Sequence, residues 1–96
     1  MYASKFKSPL LDQLFATIQS LPNEDAFYRF FEDICTVKEL QDLATRFEVA
    51  RLLNEKVSYV DIVKQTKASS ATIARVNRAL LYGADGYKLA LSHPKK

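Results

Sequence analysis

Apolar residues recur at spacings of three and four along the first third of the chain, the pattern of amphipathic helices. Pro9 stands where a first helical turn accepts proline, and the stripe that follows it ends near Pro22. Asn23 is placed to cap a second helix that runs to about Cys35. The sequence therefore predicts two amphipathic helices here. Their apolar positions are Leu10, Leu11, Leu14, Phe15, Ile18 and Leu21 in the first helix, and Ala26, Phe27, Phe30, Phe31 and Ile34 in the second.

Three further helices are predicted because a Ser or Thr stands at the start of each as a capping residue. The expected ranges are Thr36 to about Asn54, Tyr59 (after the Ser58 cap) to about Gln65, and Ser69 to about Tyr82. Gly83 and Gly86 then interrupt the helical pattern, so residues 83–96 are predicted to form a C-terminal tail. Alternation with a period of two is missing from the sequence, which predicts an all-α chain without strands.

The fourth and fifth predicted helices are separated only by residues 66–68, which is the layout of a helix-turn-helix. On a helical wheel, one side of the fifth helix is apolar and consists of Ile73, Val76 and Leu80. The opposite side is small and basic and consists of Ala71, Ala74, Arg75 and Arg78. Small residues let a helix approach the major groove of DNA closely, and arginines reach guanine edges or phosphates. The alternative is a surface helix whose arginines are simply solvated.

The charge of the chain is unevenly distributed. The formal net charge is +3, but residues 1–50 hold five Lys/Arg against eight Asp/Glu, whereas residues 51–96 hold nine against three. A basic half attached to an acidic half suggests that one end of the chain meets a polyanion. The alternative is a solvated surface that is merely lopsided in charge.

The sequence offers little support for catalysis, a cofactor or a metal site. Its single histidine, His93, lies in the terminal sequence "SHPKK", where we expect a solvated side chain rather than a general base or a ligand. No Cys/His spacing suits zinc, and no Gly-rich loop could hold a nucleotide phosphate. Cys35 is the only cysteine and is expected to be a small core residue, although a helix start beside it could lower the pKa of its thiol. The sequence has neither a long apolar run nor a signal-peptide pattern, so we predict a cytoplasmic protein that does not enter a membrane. Because no catalytic group is indicated, we also predict that the protein is not an enzyme.

Several sequence motifs resemble those of known regulators. The run "DIVKQTKASSATIARVNRAL", residues 61–80, resembles the helix-turn-helix of bacterial repressors. Residues 36–81, with "LATR", "LLNEKVSY" and "ATIAR", are similar to the Trp repressor superfamily. The flanking "FYRFFEDI" and "LLYGADGY" resemble its YerC/YecD-type group of Trp-repressor-related proteins, so the resemblance covers nearly the whole chain.

The resemblance implies one Trp-repressor-like domain over residues 1–96, a helical bundle that forms an intertwined homodimer. Within it, residues of about 9–54 would form the dimerisation helices and about 58–82 the helix-turn-helix. The two apolar stripes agree with this expectation, because together they supply more apolar surface than a short helix-turn-helix can cover. The alternative is that both stripes belong to the core of a single chain.

The Trp repressor binds its amino-acid corepressor between the third helix and the recognition helix. By resemblance, three of the family's ligand positions are retained here, and these are Thr36, Arg46 and Arg75. The glycine that follows the recognition-helix arginine is replaced by Val76, and the serine one turn later by Ala79. We therefore predict that the effector is an amino acid other than tryptophan. The alternative is that Arg46 and Arg75 form surface ion pairs with neighbours such as Glu48.

The favoured function is a homodimeric, sequence-specific regulator of transcription, a repressor, that binds double-stranded DNA. The residues expected to address the DNA groove are Ser69, Ser70, Ala71, Thr72, Arg75 and Arg78, with Lys64 and Lys67 on the phosphate backbone. Lys67 occupies a turn position where many such proteins have glycine, which predicts a strained or differently shaped turn. The alternative function is a helical protein–protein interaction module that does not bind DNA specifically.

Overall fold

Six α-helices account for most of residues 2–92, the part of the chain that the computed structural model describes. In chain order they are α1 Pro9–Gln19, α2 Glu24–Ile34, α3 Val37–Asn54, α4 Tyr59–Thr66, α5 Ser70–Tyr82 and α6 Gly86–Leu91. Residues 2–92 contain no strand, so the all-α prediction is confirmed. The five predicted helices are all present, with ends within a few residues of those expected. His93 lies outside the described residues.

The capping residues read from the sequence account for the starts of three helices. The side chains of Asn23, Ser58 and Ser69 each accept a hydrogen bond from the backbone N–H three residues further on, at 2.9, 3.2 and 3.1 Å. Each bond satisfies a backbone donor that has no partner within its own helix. Ser8 caps α1 in the same way, directly before Pro9.

The helix α6 was not predicted, and it lies within the segment 83–96 that the sequence predicts as a C-terminal tail. Gly83 ends α5, and Asp85 adopts a left-handed conformation, with φ of 63°, that redirects the chain. Tyr87 and Leu91 then pack against the hydrophobic core. A helix of six residues is too short to be stable by itself or to show a clear sequence period, so its stability depends on these two contacts.

The chain divides into two compact units, Met1–Val37 and Lys38–Lys96. The first contains α1 and α2, and the second contains nearly all of α3 together with α4, α5 and α6. The prediction that residues 1–96 form a single domain stays a prediction.

The first unit has no buried side chain among residues 2–37. Phe30 and Phe31 contact each other edge to face, with ring centroids 5.6 Å apart. Other members of the predicted stripes are open to solvent, and Leu10 and Phe15 are 80% and 60% exposed. Burial of apolar area is the main force that stabilises helices in proteins, and these two helices bury little of theirs within the unit.

The hydrophobic core lies in the second unit, where α3, α4 and α5 contribute to one cluster. The predicted inner side of α5 is confirmed, because Ile73, Val76 and Leu80 are all buried. The remaining buried apolar residues of this unit are Val49, Ala50 and Leu52 from α3, Ile62 from α4 and Ala68 from the turn after it. This core fixes α5 against α3 and α4, and so determines which side of α5 faces solvent.

Candidate functional site

The outward side of α5 is small and basic, as predicted. Ala71, Ala74, Arg75 and Arg78 are all exposed. Neither guanidinium group, of Arg75 or Arg78, forms an ion pair or a hydrogen bond with any residue between 2 and 92. The two side chains therefore present unused donors to solvent, on a helix that can be approached closely.

The turn before α5 is held by local hydrogen bonds. Lys67 has φ of 59° and ψ of 16°, the left-handed conformation that glycine adopts most easily, and its N–H donates to the carbonyl oxygen of Val63 at 2.8 Å. The hydroxyl of Thr66 donates to the Ile62 carbonyl at 2.8 Å and accepts from the Ala68 N–H at 3.1 Å. The turn thus keeps the shape that a glycine would give, at a conformational cost of about 1 kcal/mol for the lysine. The alternative expectation of a differently shaped turn is not supported.

A polar groove of about 350 Å³, here called the turn groove, lies between α3 and this turn. Its lining residues are Lys38, Asp42, Thr45, Arg46, Thr66, Lys67, Ala68, Ser69 and Thr72. Three of its side chains are cationic and one is acidic. The acid, Asp42, is only 2.9 Å from Lys38 in an exposed ion pair. The groove therefore combines a net positive charge with four hydroxyl groups.

A second pocket, of about 220 Å³, lies between α3 and α5 and is here called the α3–α5 pocket. Its lining residues are Arg46, Thr72, Arg75, Val76, Ala79 and Tyr87. Three of the four residues predicted to bind a ligand, Arg46, Arg75 and Val76, thus share one pocket. Thr36 is exposed directly before α3 and is not among the lining residues, so its role stays a prediction.

The alternative in which Arg46 pairs with Glu48 is wrong. Glu48 accepts two hydrogen bonds from Arg51, at 2.7 and 2.8 Å. Residues two apart on a helix point to different sides, whereas residues three apart are neighbours, so Glu48 meets Arg51 rather than Arg46. Within residues 2–92 the Arg46 guanidinium has neither an ion pair nor a hydrogen bond, although its residue is half-buried.

Some residues of the two pockets were not found from the sequence. Lys38, Asp42 and Thr45 line the turn groove together with Arg46, and their spacing of three and four residues along α3 was the signal that could have indicated this polar stripe. Tyr87 lines the α3–α5 pocket, but no sequence signal indicated it because α6 itself was not predicted. Lys64, predicted to contact DNA, is exposed on α4 and lines neither cavity.

Three further features of residues 2–92 concern membrane spans, metal sites and thiols. No helix in this part of the chain is long and apolar enough to span a membrane. No three His, Cys, Asp or Glu side chains of the same part form a group that could hold a metal ion. Cys35 is a free thiol, half-buried at the end of α2.

Comparison with known proteins identifies the family. The family model described as Trp repressor protein matches residues 9–95. A Bacillus subtilis protein called YerC, which is itself uncharacterized, is 49% identical over 96 residues, which are 100% of this chain and 92% of that protein.

Two solved crystal structures are also similar. One is a TrpR-like protein from Eubacterium eligens, with a TM-score of 0.87 and 48% identity, covering 96% of this chain and 98% of that one. The other is a candidate Trp repressor from Staphylococcus aureus, with a TM-score of 0.87 and 41% identity, covering 95% and 91%. Family model, relative and structures agree with the motifs read from the sequence. The chain therefore belongs to the Trp repressor family and is a member of its YerC-type group.

Proposed function

We propose that this protein is a homodimeric, cytoplasmic repressor of transcription that binds a specific DNA sequence through α5. The observation that carries the proposal is the outward side of α5, where two exposed arginines that have no partner among residues 2–92 stand beside alanines. Small side chains allow a helix to enter the major groove, and each arginine can donate two hydrogen bonds to one guanine. The Trp repressor family, whose fold is that of a DNA-binding regulator rather than an enzyme, supports this function.

The turn groove supports a role in holding the DNA backbone. Lys67, Ser69 and Thr72, all predicted to contact DNA, line it together with Arg46. Cations, hydroxyls and the free backbone N–H groups at a helix start are the donors that phosphates accept from. In this arrangement the groove fixes the position of the protein on the duplex, while Ser70, Ala71, Thr72, Arg75 and Arg78 face the base edges. Lys64 would add a backbone contact from α4.

The first unit supports the homodimer. Residues 2–37 bury no side chain, although α1 and α2 carry continuous apolar stripes. The second unit carries an open apolar hollow of about 460 Å³, which Phe47, Ala79 and Tyr87 help to line. Exposed apolar surface of this extent usually marks an interface. The family fold implies that a second copy of the chain covers this apolar surface, with the N-terminal helices of each chain packed on the other chain.

The α3–α5 pocket supports regulation by a small effector that carries a carboxylate, such as an amino acid other than tryptophan. Two arginines line it, and arginine binds carboxylates through paired hydrogen bonds. Val76 occupies the place where the family has glycine, and Ala79 that of serine, so the pocket favours something smaller than an indole.

The same exposed apolar residues favour a second candidate function, a protein interaction module that does not read DNA. The two functions differ in their dependence on salt. DNA binding releases counterions and weakens steeply as salt rises, whereas an apolar protein interface does not.

Selection of genomic DNA fragments on the full-length protein tests the proposed function. We expect the bound fragments to share a sequence motif arranged as an inverted repeat, because a two-fold dimer presents two copies of α5. Arg78→Ala should weaken binding to the motif by about 1–3 kcal/mol. Lys88→Ala is the control, since Lys88 is an exposed cation on α6 near Asp85. Fragments without a shared motif, or equal losses in both variants, would exclude α5 as the reading helix.

A further inference from the structure

Arg46 lines two separate cavities, the turn groove and the α3–α5 pocket. From this shared position we propose that the α3–α5 pocket binds a small dicarboxylate without an ammonium group, and that its binding releases the protein from DNA. The inference rests on the proposed DNA-binding function, specifies the sign of the effector's effect, and narrows the carboxylate-bearing effector proposed above to one that is not an amino acid.

The charged groups of the pocket favour an anion over a zwitterion. Arg46 and Arg75 supply two guanidinium groups, Thr72 adds a hydroxyl, and none of the lining residues is acidic. A carboxylate can pair with each guanidinium. The ammonium group of an amino acid would find two cations and no carboxylate, and Ala79 offers it only a methyl group. The lining of Val76, Ala79 and Tyr87 suits a short hydrocarbon chain between the two carboxylates.

Arg46 is available for such a ligand because the acid nearest to it in the sequence, Glu48, is already bound by Arg51. A half-buried cation without a partner is costly, and an anion would remove that cost. The other charged groups of the turn groove are Lys38, Lys67 and Asp42, none of which lines the α3–α5 pocket. Arg46 is therefore the only charged residue that the two cavities share within the described part of the chain.

The sign of the effect follows from this sharing. The Arg46 guanidinium carries a single positive charge, so pairing with a carboxylate in one cavity weakens its attraction for a phosphate in the other. The dicarboxylate also brings two negative charges close to the phosphates of the backbone. Both effects make the ligand and DNA compete. By linkage, DNA must weaken binding of the ligand by the same factor as the ligand weakens binding of DNA.

Succinate and L-aspartate form a matched pair of probes, because they share a carbon chain and differ by the ammonium group. In calorimetry with the full-length protein, we expect succinate to bind and L-aspartate to bind at least about tenfold more weakly, since one unfavourable charge contact costs on the order of 1 kcal/mol or more. On a labelled duplex at constant ionic strength, saturating succinate should raise the dissociation constant for DNA roughly tenfold.

Two variants of the same helix compare Arg75, which lines the pocket and also faces the DNA, with Arg78, which faces the DNA only. Arg75→Gln should abolish succinate binding. Arg78→Gln should keep the affinity for succinate, because Arg78 does not line the pocket, while it weakens DNA binding. Arg46→Gln should remove the effect of succinate on DNA, and circular dichroism verifies that each variant is folded.

Three results would overturn this inference: no heat of binding with succinate, equal binding of succinate and L-aspartate, or tighter DNA binding when succinate is present. The proposed function fails separately, if the protein without any ligand does not bind DNA. Calorimetry needs no DNA, so it tests the ligand chemistry in that case as well.

Discussion

Arg51 holds Glu48 through two hydrogen bonds, one from Nε to Oε1 at 2.8 Å and one from Nη2 to Oε2 at 2.7 Å. Its remaining terminal nitrogen donates to Glu55 at 2.8 Å. The hydrogen bond to Glu48 is the main cause that raises the pKa of Arg51 above its ordinary value. This arrangement occupies Glu48 and Glu55 on one side of α3, while the Arg46 guanidinium has neither an ion pair nor a hydrogen bond within residues 2–92.

Asp42 is the one acidic residue of the turn groove, and its charge opposes a DNA phosphate placed there. Asp42→Asn should therefore tighten DNA binding roughly fivefold at low salt, with a smaller gain as salt rises. Asp25→Asn is a matched control, because Asp25 also forms an exposed ion pair four residues apart, with Arg29 on α2. Fluorescence anisotropy at two salt concentrations measures both. Equal gains in the two variants would show that only the net charge matters.

Lys67 combines a left-handed backbone with a cationic side chain at the turn groove, and one substitution separates these properties. Lys67→Gly removes the conformational cost, so the free energy of unfolding should rise by about 1 kcal/mol. The same change removes a phosphate contact, so DNA binding should weaken for all sequences and its salt slope should fall by about one. Thermal unfolding and a salt titration measure the two effects. Lys67→Gly with lower stability would contradict the assigned strain.

Ser69 links the turn to α5, since its hydroxyl accepts from the Thr72 N–H at 3.1 Å and donates to the Thr72 hydroxyl at 3.0 Å. Ser69→Ala should reduce the free energy of unfolding by about 1 kcal/mol through loss of the cap. Ser70→Ala is the control for stability, because Ser70 is exposed and already inside the helix. Chemical denaturation compares them. Equal stability of the two variants would show that the cap contributes little.

The exposed stripe of α1 gives a test of the dimer. Phe15 is 60% exposed in the single chain, so Phe15→Ala should change stability little if the protein is a monomer. If a second copy covers α1, the substitution should cost about 3 kcal/mol or more and shift the protein towards monomers at micromolar concentration. Deleting residues 1–34 should abolish cooperative unfolding for the same reason. Sedimentation of the unmodified protein as a stable monomer would refute the dimer.

The sequence was sufficient to predict the five longer helices because each has an apolar stripe and a start signal, either a capping residue or, for α1, Pro9, and these are local features. It was sufficient to assign the sides of α5, since the three buried residues Ile73, Val76 and Leu80 follow the helical period. The family motifs also aligned Arg46, Arg75 and Val76, which the structure places around one pocket.

Tertiary contacts account for what the sequence did not show. The helix α6 depends on Tyr87 and Leu91 packing on residues distant in the chain, so no local signal indicates it. The turn groove joins a polar stripe of α3 to the turn before α5, and only the packing of the core brings these segments together. The family motifs predicted Arg46 as a ligand residue, but only the structure shows that Arg46 also lines the turn groove.

Tryptophan is expected not to bind the α3–α5 pocket, for reasons of volume and hydrogen bonding. Val76 is 2% exposed and places a branched side chain where the family has glycine, and Ala79 has no hydroxyl to meet the amino group of the ligand. Calorimetry with tryptophan on the unmodified protein should show no binding. Micromolar affinity together with tighter operator binding would refute the claim that Val76 closes the pocket.

The variant Val76→Gly shows whether volume alone excludes the indole ring. Removing the side chain enlarges the pocket, so an indole compound should gain affinity in this variant and not in the control Val76→Ala, which keeps a Cβ atom. The substitution also costs about 1 kcal/mol in helix propensity, and the loss of a buried side chain adds to this, so unfolding must be measured beside binding. If the Val76→Gly protein is folded and still does not bind tryptophan, then the missing hydroxyl at Ala79, and not the volume of Val76, prevents tryptophan from binding. Val76→Gly combined with Ala79→Ser restores both family residues, and we expect this double variant to bind tryptophan more tightly than either single variant.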